Sequence, residues 1–358
     1  MSNGSIYATA AMEGRGAYNR HARQPAEGAR LALPLLENAV RAMMFDTTNR
    51  PIVIADYGSS EGKNSLAPIA LTINLLRKRL GKDRPIFVYH IDRPSNDFNS
   101  LFELLDSHSY VADDHQVFPC AIGRSFYGNV LPPNSVDVGW SSYSAMWISK
   151  IPVAIPDHFF VFASKGGIRA EFDRQGASDW KTFLSLRAAE MRPGGRLIVV
   201  VPGVHEDGTT GFEGIMDSAN DVLAEMVSEG AITADERARM VLGVWSRRRR
   251  ELISPFDGDG QFNRLTLEHA DRSLLADAWW HDYERDGDCE ALATKQALFF
   301  RAVFAPTLSS ALTRVRAGDG EAFRIFADRL EVGLRSRLKA EPAPLHSIVE
   351  TIVVAKQS

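Results

Sequence analysis

The chain has few of the residues that support covalent or metal chemistry. It contains two cysteines among 358 residues, and its nine histidines show no spacing typical of metal ligands. The motifs H-E-x-x-H and C-x-x-C are absent, which argues against a zinc protease and a dithiol redox site. We therefore expect no metal site and assign no general base.

Long apolar runs and net positive charge are also missing. No run reaches the roughly 18 apolar residues of a membrane span, and no charged segment followed by an apolar one opens the chain. The formal net charge of -4 argues against a general nucleic-acid surface. The run Arg247 to Arg250 is interpreted as a solvated cluster at a helix end, with phosphate binding as the less favoured alternative. We expect no nucleic-acid partner and no membrane, and with Cys120 in a predicted strand we expect a reduced, cytoplasmic setting.

What the sequence does contain is an apolar strand, a small-residue loop and a helix in direct succession. Residues Ile52 to Ala55 predict a buried strand, and Gly58 and Gly62 allow the backbone to approach a ligand closely. A second apolar strand ends in Asp92, where an acid can accept both hydroxyls of a ribose. Neither G-x-G-x-x-G nor G-x-x-x-x-G-K-[ST] is complete, so an ordinary βα turn without a ligand remains an alternative.

Apolar patterns elsewhere predict an α/β sheet. The predicted strands are Ile52 to Ala55, Ile86 to Ile91, Val117 to Ile122, Val136 to Trp140, Leu197 to Val201, Phe262 to Glu268 and Ser347 to Val354. The predicted late helices are Ile215 to Glu229, Ala234 to Val244, Leu274 to Tyr283, Thr294 to Phe304 and Gly320 to Leu338. A chain of this length exceeds the usual size of one domain, so these helices are predicted to roof a Rossmann-like core.

Several motifs resemble those of the SABATH family of carboxyl and nitrogen methyltransferases. They are Met12 to Tyr18 (M-E-G-R-G-A-Y), Asp56 to Ser65 (D-Y-G-S-S-E-G-K-N-S), Ile91 to Asn99, Arg124 to Gly128, Ser141 to Trp147 (S-S-Y-S-A-M-W) and Met226 to Gly230. The resemblance implies a class I methyltransferase fold, a Rossmann-like sheet with an added helical cap, and S-adenosylmethionine as cofactor. It divides the chain into a lid (1-25), a cofactor-binding core (26-204 and 262-358), and a cap (205-261 with part of 270-340).

The resemblance also implies roles for individual residues. Asp92 would hold the ribose, Ser125 and Phe126 the adenine, and Tyr18, Ser59 and Asn64 the methionine end. The other predicted cofactor-binding residues are Asp56, Gly58 and Arg93. The acceptor pocket would be lined by Gln24, Tyr143, Met146, Trp147, Met216 and Phe300. Tyr143 and Trp147 would position the acceptor rather than transfer protons, although core packing is the ordinary role of large aromatic residues.

Two departures from the family pattern concern the acceptor. The family's substrate-contacting glutamine aligns with Pro25, and Gln24 is one residue earlier. The family's aromatic cap residue aligns with Met216, whose flexible side chain lets a pocket adapt its shape. We expect a planar aromatic or heteroaromatic acid, which arrives ionised because a carboxyl pKa is ordinarily near ~4.

The predicted reaction is therefore methyl ester formation by in-line attack of a carboxylate on the cofactor methyl group, catalysed mainly by positioning and desolvation. Two alternatives remain open. One is N-methylation of a heterocycle such as a xanthine, and the other is a cofactor-binding protein without transferase activity. The resemblance further implies a homodimer.

Overall fold

An eight-stranded mixed sheet forms the centre of the computed structural model, which describes residues 12–45, 48–107, 110–111, 114–313 and 320–357. Its strands are β1 (Ile52–Tyr57), β2 (Ile86–Asp92), β3 (Val117–Gly123), β4 (Val136–Ser142), β5 (Met191–Pro202), β6 (Gln261–Phe262), β7 (Leu265–Leu274) and β8 (Ile348–Lys356). Their order across the sheet is β3-β2-β1-β4-β5-β8-β7-β6.

The strand order reverses between β1 and β4, which both lie in the parallel half of the sheet. β1 pairs in parallel with β2 and with β4, and β4 pairs in parallel with β5. β8 is antiparallel to both of its neighbours. Ligands of open α/β sheets bind beyond the carboxyl ends of the strands at such a reversal, so the topology points to the ends of β1, β2 and β4.

Twelve α-helices flank or roof the sheet within the described residues. They are α1 (Ala17–His21), α2 (Arg23–Leu31), α3 (Leu33–Ala42), α4 (Lys63–Leu80), α5 (Phe98–Ser107), α6 (Gly166–Glu190), α7 (Glu213–Ser228), α8 (Ala234–Ala238), α9 (Arg249–Ile253), α10 (Ala278–Asp286), α11 (Cys289–Ser309) and α12 (Gly320–Ala340). No helix in these described segments is both long and apolar enough to cross a lipid bilayer.

Each face of the sheet buries its own apolar core. On one face Ile52 and Ile54 of β1 pack with Ile69 and Leu76 of α4. On the other face the β1 residue Tyr57 lies in a cluster with residues of α6. Because both faces are covered, β1 reads as a nearly continuous apolar run instead of an alternating one.

A separate core holds the helical cap together. It contains Met216 and Leu223 of α7, Phe300 and Leu308 of α11, and residues of α12. These helices pack mainly on one another, so the cap is a layer over the sheet with its own apolar interior. The predicted Rossmann-like sheet with an added cap is confirmed, although some predicted elements have other limits.

The helix predicted over Ala234 to Val244 is wrong in its second half. α8 begins with a capping box, in which the Thr233 hydroxyl accepts from the Glu236 amide and the Glu236 carboxylate accepts from the Thr233 amide. It ends at Ala238, and the helix does not continue because the backbone further on pairs with other segments. The Leu242 amide donates to the Phe159 carbonyl, and the Gly243 carbonyl accepts from Ile148.

The strand predicted over Phe262 to Glu268 is two strands of a hairpin. Asn263 and Arg264 have φ values of 51° and 66°, and this left-handed turn separates β6 from β7. The helix predicted from Leu274 begins later, because β7 continues to Leu274 and Asp277 caps α10 by accepting from the Trp279 and Trp280 amides.

Candidate functional site

A cavity lies beyond the carboxyl ends of β1, β2 and β4, under the cap. Its empty space is about 1160 Å³, including the opening to solvent. The residues on its wall come from the N-terminal helices, the loops after three strands, and the cap helices α7 and α11. The cavity therefore occupies the place that the strand reversal favours for a ligand.

The loop after β1 forms one wall. Gly58 has a φ of 93°, and its amide donates to the carbonyl of Ile91 over an N to O distance of 2.7 Å. A Cβ at Gly58 would lie 2.1 Å from the Cβ of Ser144. Only glycine allows this loop to pass so close to the loop after β4.

Asp92 ends β2 and lies on the cavity wall. Its Oδ2 accepts from the Ser60 amide and its Oδ1 from the Arg93 amide, each over 2.7 Å. Burial raises the pKa of Asp92 to about 6, the Asp56 carboxylate adds to the increase, and the two amide bonds reduce it. A carboxylate held this way still has lone pairs for two hydroxyl donors.

Tyr143 reaches the cavity from a strained turn after β4. Its φ is 55°, which is unfavourable for a bulky residue, and its amide donates to the Val200 carbonyl over 2.8 Å. The next residue helps to hold the turn, because the Ser144 hydroxyl donates to the Tyr57 carbonyl over 2.6 Å. A Cβ at Gly28 of α2 would lie 2.3 Å from the Tyr143 hydroxyl oxygen, so the Tyr143 ring fits only because Gly28 has no side chain.

Trp147 is held through its backbone and its neighbours. The Tyr127 hydroxyl donates to the Trp147 carbonyl over 2.7 Å, and the Ser149 amide donates to Asp179 Oδ2 over 2.7 Å. The Arg247 guanidinium donates to the Ala145 carbonyl over 3.3 Å.

Arg247 also corrects the interpretation of the arginine run as a solvated cluster at a helix end. Its side chain is fully buried and lies over the Trp180 ring, with 5.5 Å from the guanidinium carbon to the ring centre. The run precedes and begins α9 (Arg249–Ile253), so Arg247 supports the loop after β4, through Ala145, instead of complementing a helix C-terminus.

The N-terminal segment closes the cavity from a third side. Tyr18 of α1 and Gln24 and Pro25 of α2 lie on the wall. Burial raises the pKa of the Tyr18 hydroxyl, which is therefore neutral at physiological pH. Gln24 is buried, and among the described residues none lies within hydrogen-bond distance of its Oε1 atom.

The side chains that the cap helices α7 and α11 contribute to the wall are apolar, although Ser246 in the segment before α9 also lies on it. The apolar residues facing the cavity at and around the cap are Phe160, Phe212, Met216, Phe299, Val303 and Phe304. Polar wall residues are concentrated near the sheet, where Asp92, Ser125 and Ser142 lie. The cavity thus has a polar half at the strand ends and an apolar half beneath the cap.

Most of the predicted site residues meet in this cavity. Those on its wall are Tyr18, Gln24, Gly58, Asp92, Arg93, Ser125, Phe126, Tyr143, Met146, Trp147 and Met216. Their roles toward a cofactor or acceptor stay predictions, because the structure shows only their positions.

Four predicted site residues do not lie on the wall. Asp56 is buried in a pair with His90, with 2.9 Å between Oδ2 and Nδ1. Ser59 is buried within the loop after β1, and the side-chain amide of Asn64 donates to the Ala22 carbonyl over 3.4 Å. Phe300 is fully buried against Phe159 and Phe304, because the face of α11 that meets the cavity carries Phe299 and Val303 instead.

Sequence reasoning missed several wall residues. Ser60 lies on the wall and inside the motif Asp56 to Ser65 but is not among the predicted site residues, and its hydroxyl has no hydrogen-bond partner among the described residues. Phe299 and Val303 are four residues apart on α11, which places them on one helix face. The helical period was visible in the sequence, but it does not say which of the apolar faces meets a cavity. No group of three His, Cys, Asp or Glu side chains in the described part of the chain could hold a metal ion.

Comparisons with known proteins agree with this architecture. Residues 8–348 match the family described as SAM dependent carboxyl methyltransferase. Salicylate carboxymethyltransferase of Clarkia breweri is 28% identical over 267 residues, which are 71% of this chain and 72% of that protein. Caffeine synthase 3 of Camellia sinensis is 26% identical over 277 residues, covering 72% and 74%. The solved structure of loganic acid methyltransferase with SAH superposes with a TM-score of 0.75 at 20% identity, covering 97% of this chain and 99% of that one.

Proposed function

Since the chain belongs to the SAM-dependent carboxyl methyltransferase family and uses S-adenosylmethionine, we propose that it converts a small carboxylic acid with an apolar, aromatic body to its methyl ester. The observation that carries this choice is the division of the cavity. Every side chain that α7 and α11 contribute to the wall is apolar, and most of the polar wall groups lie at the strand ends or on the N-terminal segment. An acid with one ionised end and an apolar body matches that division.

The polar half fits the cofactor. Asp92 would accept the two ribose hydroxyls, Ser125 and the ring of Phe126 would contact the adenine, and Tyr18 would lie near the methionine end. When bound, the cofactor supplies a methyl group on a positively charged sulfur. The buried and unpartnered hydroxyl of Ser60 provides one more hydrogen-bonding group on this wall. Unpaired buried polar atoms of this kind are uncommon unless a ligand satisfies them.

The apolar half would hold the acceptor. Tyr143 and Trp147 would orient it, Met146 and Met216 would adapt to its outline, and Gln24 would contact its carboxylate. Because a carboxylate is already ionised at neutral pH, these residues need only bring it into line and exclude water. The buried, neutral hydroxyl of Tyr143 suits this role, since burial raises its pKa and it stays a donor.

N-methylation of a heterocycle is the second candidate, and the likeness to a caffeine synthase is the observation that favours it. A xanthine carries carbonyl oxygens and ring nitrogens around its whole edge. Beneath an apolar cap, each such group without a partner would cost about 1–3 kcal/mol. The wall therefore favours the carboxylic acid.

A methyl-transfer screen with radiolabelled S-adenosylmethionine tests the proposal. The panel contains benzoates, indole acetic acid, aliphatic ring acids and xanthines, and the label is scored before and after mild base. Base-labile, volatile label from an acid would support ester formation, and base-stable label from a xanthine would overturn it in favour of N-methylation. Tight cofactor binding without transfer to any member would also count against it.

The finer organisation is part of the same proposal. We keep the division into a lid (1-25), a two-part core (26-204 and 262-358) and a cap (205-261 with part of 270-340), together with a homodimer in a cytoplasmic setting. Cys120 and Cys289 are both free, which supports a reducing compartment. Sedimentation velocity of the purified protein measures the oligomeric state directly.

A further inference from the structure

The helix α1 has no capping side chain of its own. It is five residues long, its N-cap is Gly16 with a φ of 75°, and no side chain of the segment bonds its first amides. A helix this short is unstable in isolation because nucleation is unfavourable. Tyr18, which lies on the cavity wall, is one of these five residues.

A carboxylate from the loop after β1 supplies the missing cap. Glu61 Oε1 accepts from the Gly16 amide over 2.6 Å, and Oε2 accepts from the Asn19 amide over 3.0 Å. The Asn19 side chain completes the contact by donating to the Glu61 carbonyl over 3.0 Å and accepting from the Lys63 amide over 3.2 Å. Negative charge at a helix N-terminus is favourable, and here it comes from a distant part of the sequence.

The backbone on either side of Glu61 turns its side chain toward α1. Ser60 has a φ of 48° and Gly62 a φ of 90°, so both neighbours are in the left-handed region. The Ser60 amide meanwhile donates to Asp92, and its carbonyl accepts from Asn96 over 2.9 Å. One short loop therefore contacts both the proposed ribose carboxylate and the helix that bears Tyr18.

Glu61 is 1% exposed although it is ionisable. Two other contacts tie the segment down at its edges, where the Arg15 amide donates to Asp97 over 2.8 Å and Glu13 pairs with Arg301 over 3.1 Å. Those carboxylates are more exposed, and neither belongs to the loop after β1. Burying a carboxylate is favourable only when hydrogen bonds replace its water, which the two α1 amides do.

We propose that Glu61 is a positioning residue that caps α1 from a distant part of the same chain and holds Met12–Pro25 closed over the cavity. It thereby couples that closure to the loop after β1, which also contacts Asp92. The proposal rests on the proposed function, because the segment carries Tyr18 and Gln24 toward the cofactor and the acceptor. When the closed form is less populated, the apparent affinities for both ligands fall by the same factor. Saturating ligands restore closure, so the turnover number changes little.

The variant Glu61→Gln tests this coupling. The glutamine side chain has an NH2 group in place of one of the two carboxylate oxygens, so a donor then faces a backbone N–H of Gly16 or Asn19. We expect the Kd for S-adenosylhomocysteine and the KM of the acceptor each to rise about tenfold or more, which is the size of one charge-assisted hydrogen bond, while kcat stays within about threefold. Asn19→Ala keeps both carboxylate bonds and should give a smaller rise of the same kind.

Limited trypsinolysis reports the closure itself. Arg15, Arg20 and Arg23 are exposed cleavage sites in the segment. S-adenosylhomocysteine should slow cleavage there in the unmodified protein, and at equal fractional saturation Glu61→Gln should be cleaved faster. Glu37→Gln is the matched control, since it makes the same charge change in the exposed pair with Arg41 on α3.

The outcomes separate this inference from the proposed function. If the unmodified protein does not bind S-adenosylhomocysteine, the proposed function fails. If it binds and Glu61→Gln retains the same Kd, KM and cleavage rate, Glu61 does not control closure. A lower unfolding midpoint with unchanged affinities would make Glu61 only a structural residue, and this too would overturn the inference.

Discussion

Acidification should weaken the binding of S-adenosylhomocysteine about tenfold between about pH 7.5 and about pH 5, through Asp92. Burial raises the pKa of Asp92 to about 6 in the free protein. Its proposed partners are hydroxyl groups, which donate to an ionised carboxylate and so stabilise the charged form. Binding therefore lowers the pKa of Asp92 and loses affinity when the free carboxyl is protonated.

The magnitude follows from the fraction of protein in the charged form. At pH 5, one unit below that pKa, about one molecule in eleven has Asp92 ionised, whereas at pH 7.5 nearly all do. The apparent Kd should rise by about that factor of eleven. The effect on folding has the opposite sign: the raised carboxyl pKa makes the charged group unfavourable in the folded protein, and this cost decreases as the pH falls from about 6 and is gone below the ordinary carboxyl pKa near ~4.

Isothermal titration calorimetry across this pH range measures the effect, with S-adenosylhomocysteine as ligand. Asp92→Asn keeps the shape and removes the titration, so its binding should be weaker at neutral pH and nearly flat with pH. A flat profile in the unmodified protein would refute the reasoning. The same slope in Asp92→Asn would assign the titration to another group, and Glu61 is the first to test because burial raises its pKa too.

Three further substitutions separate acceptor binding, loop geometry and stability. Trp147→Ala should raise the acceptor KM at least tenfold and change the Kd for S-adenosylhomocysteine less than threefold; the reverse pattern in steady-state kinetics and calorimetry would remove Trp147 from the acceptor pocket. Gly28→Ala places a Cβ 2.3 Å from the Tyr143 hydroxyl oxygen and should lower kcat/KM at least tenfold. Alanine is more favourable than glycine in a helix by about 1 kcal/mol, so the unfolding midpoint of this variant should not fall together with its activity. An unchanged kcat/KM would show that Tyr143 need not hold its position. Asp56→Asn leaves buried His90 without its carboxyl partner and should lower the free energy of unfolding in urea by about 1–3 kcal/mol with the Kd unchanged, whereas a selective loss of affinity would return Asp56 to the cofactor site.

The fold could be predicted from local patterns because its elements are strongly marked. Apolar runs such as Ile52 to Ala55 end in small residues, and they have few alternatives to a buried parallel strand. The structure confirms the sheet and the cap, and the family match confirms the cofactor. The predicted limits of helices and strands are wrong where the backbone forms hydrogen bonds to a distant segment, as Leu242 does to Phe159. Local propensity carries no information about such partners.

In the candidate site, too, some residues could be predicted from the sequence and others could not. Asp92, Tyr143 and Trp147 were identifiable because they stand in motifs at strand ends, and strand ends meet at one edge of a parallel sheet. Phe299 was not identifiable in place of its neighbour Phe300, because the two differ only in which side of α11 faces the cavity. That choice depends on how α11 packs against the sheet and the other cap helices.

The sequence by itself determined the order of most strands and helices, the residue types at the strand ends and the family resemblance, because these depend on neighbours along the chain. Only the tertiary structure decided that Asp56 pairs with His90, that Arg247 is buried, and that Glu61 caps α1. Each of those contacts joins segments far apart in the chain. A buried charge is stable only where specific polar groups surround it, and those groups come together only on folding.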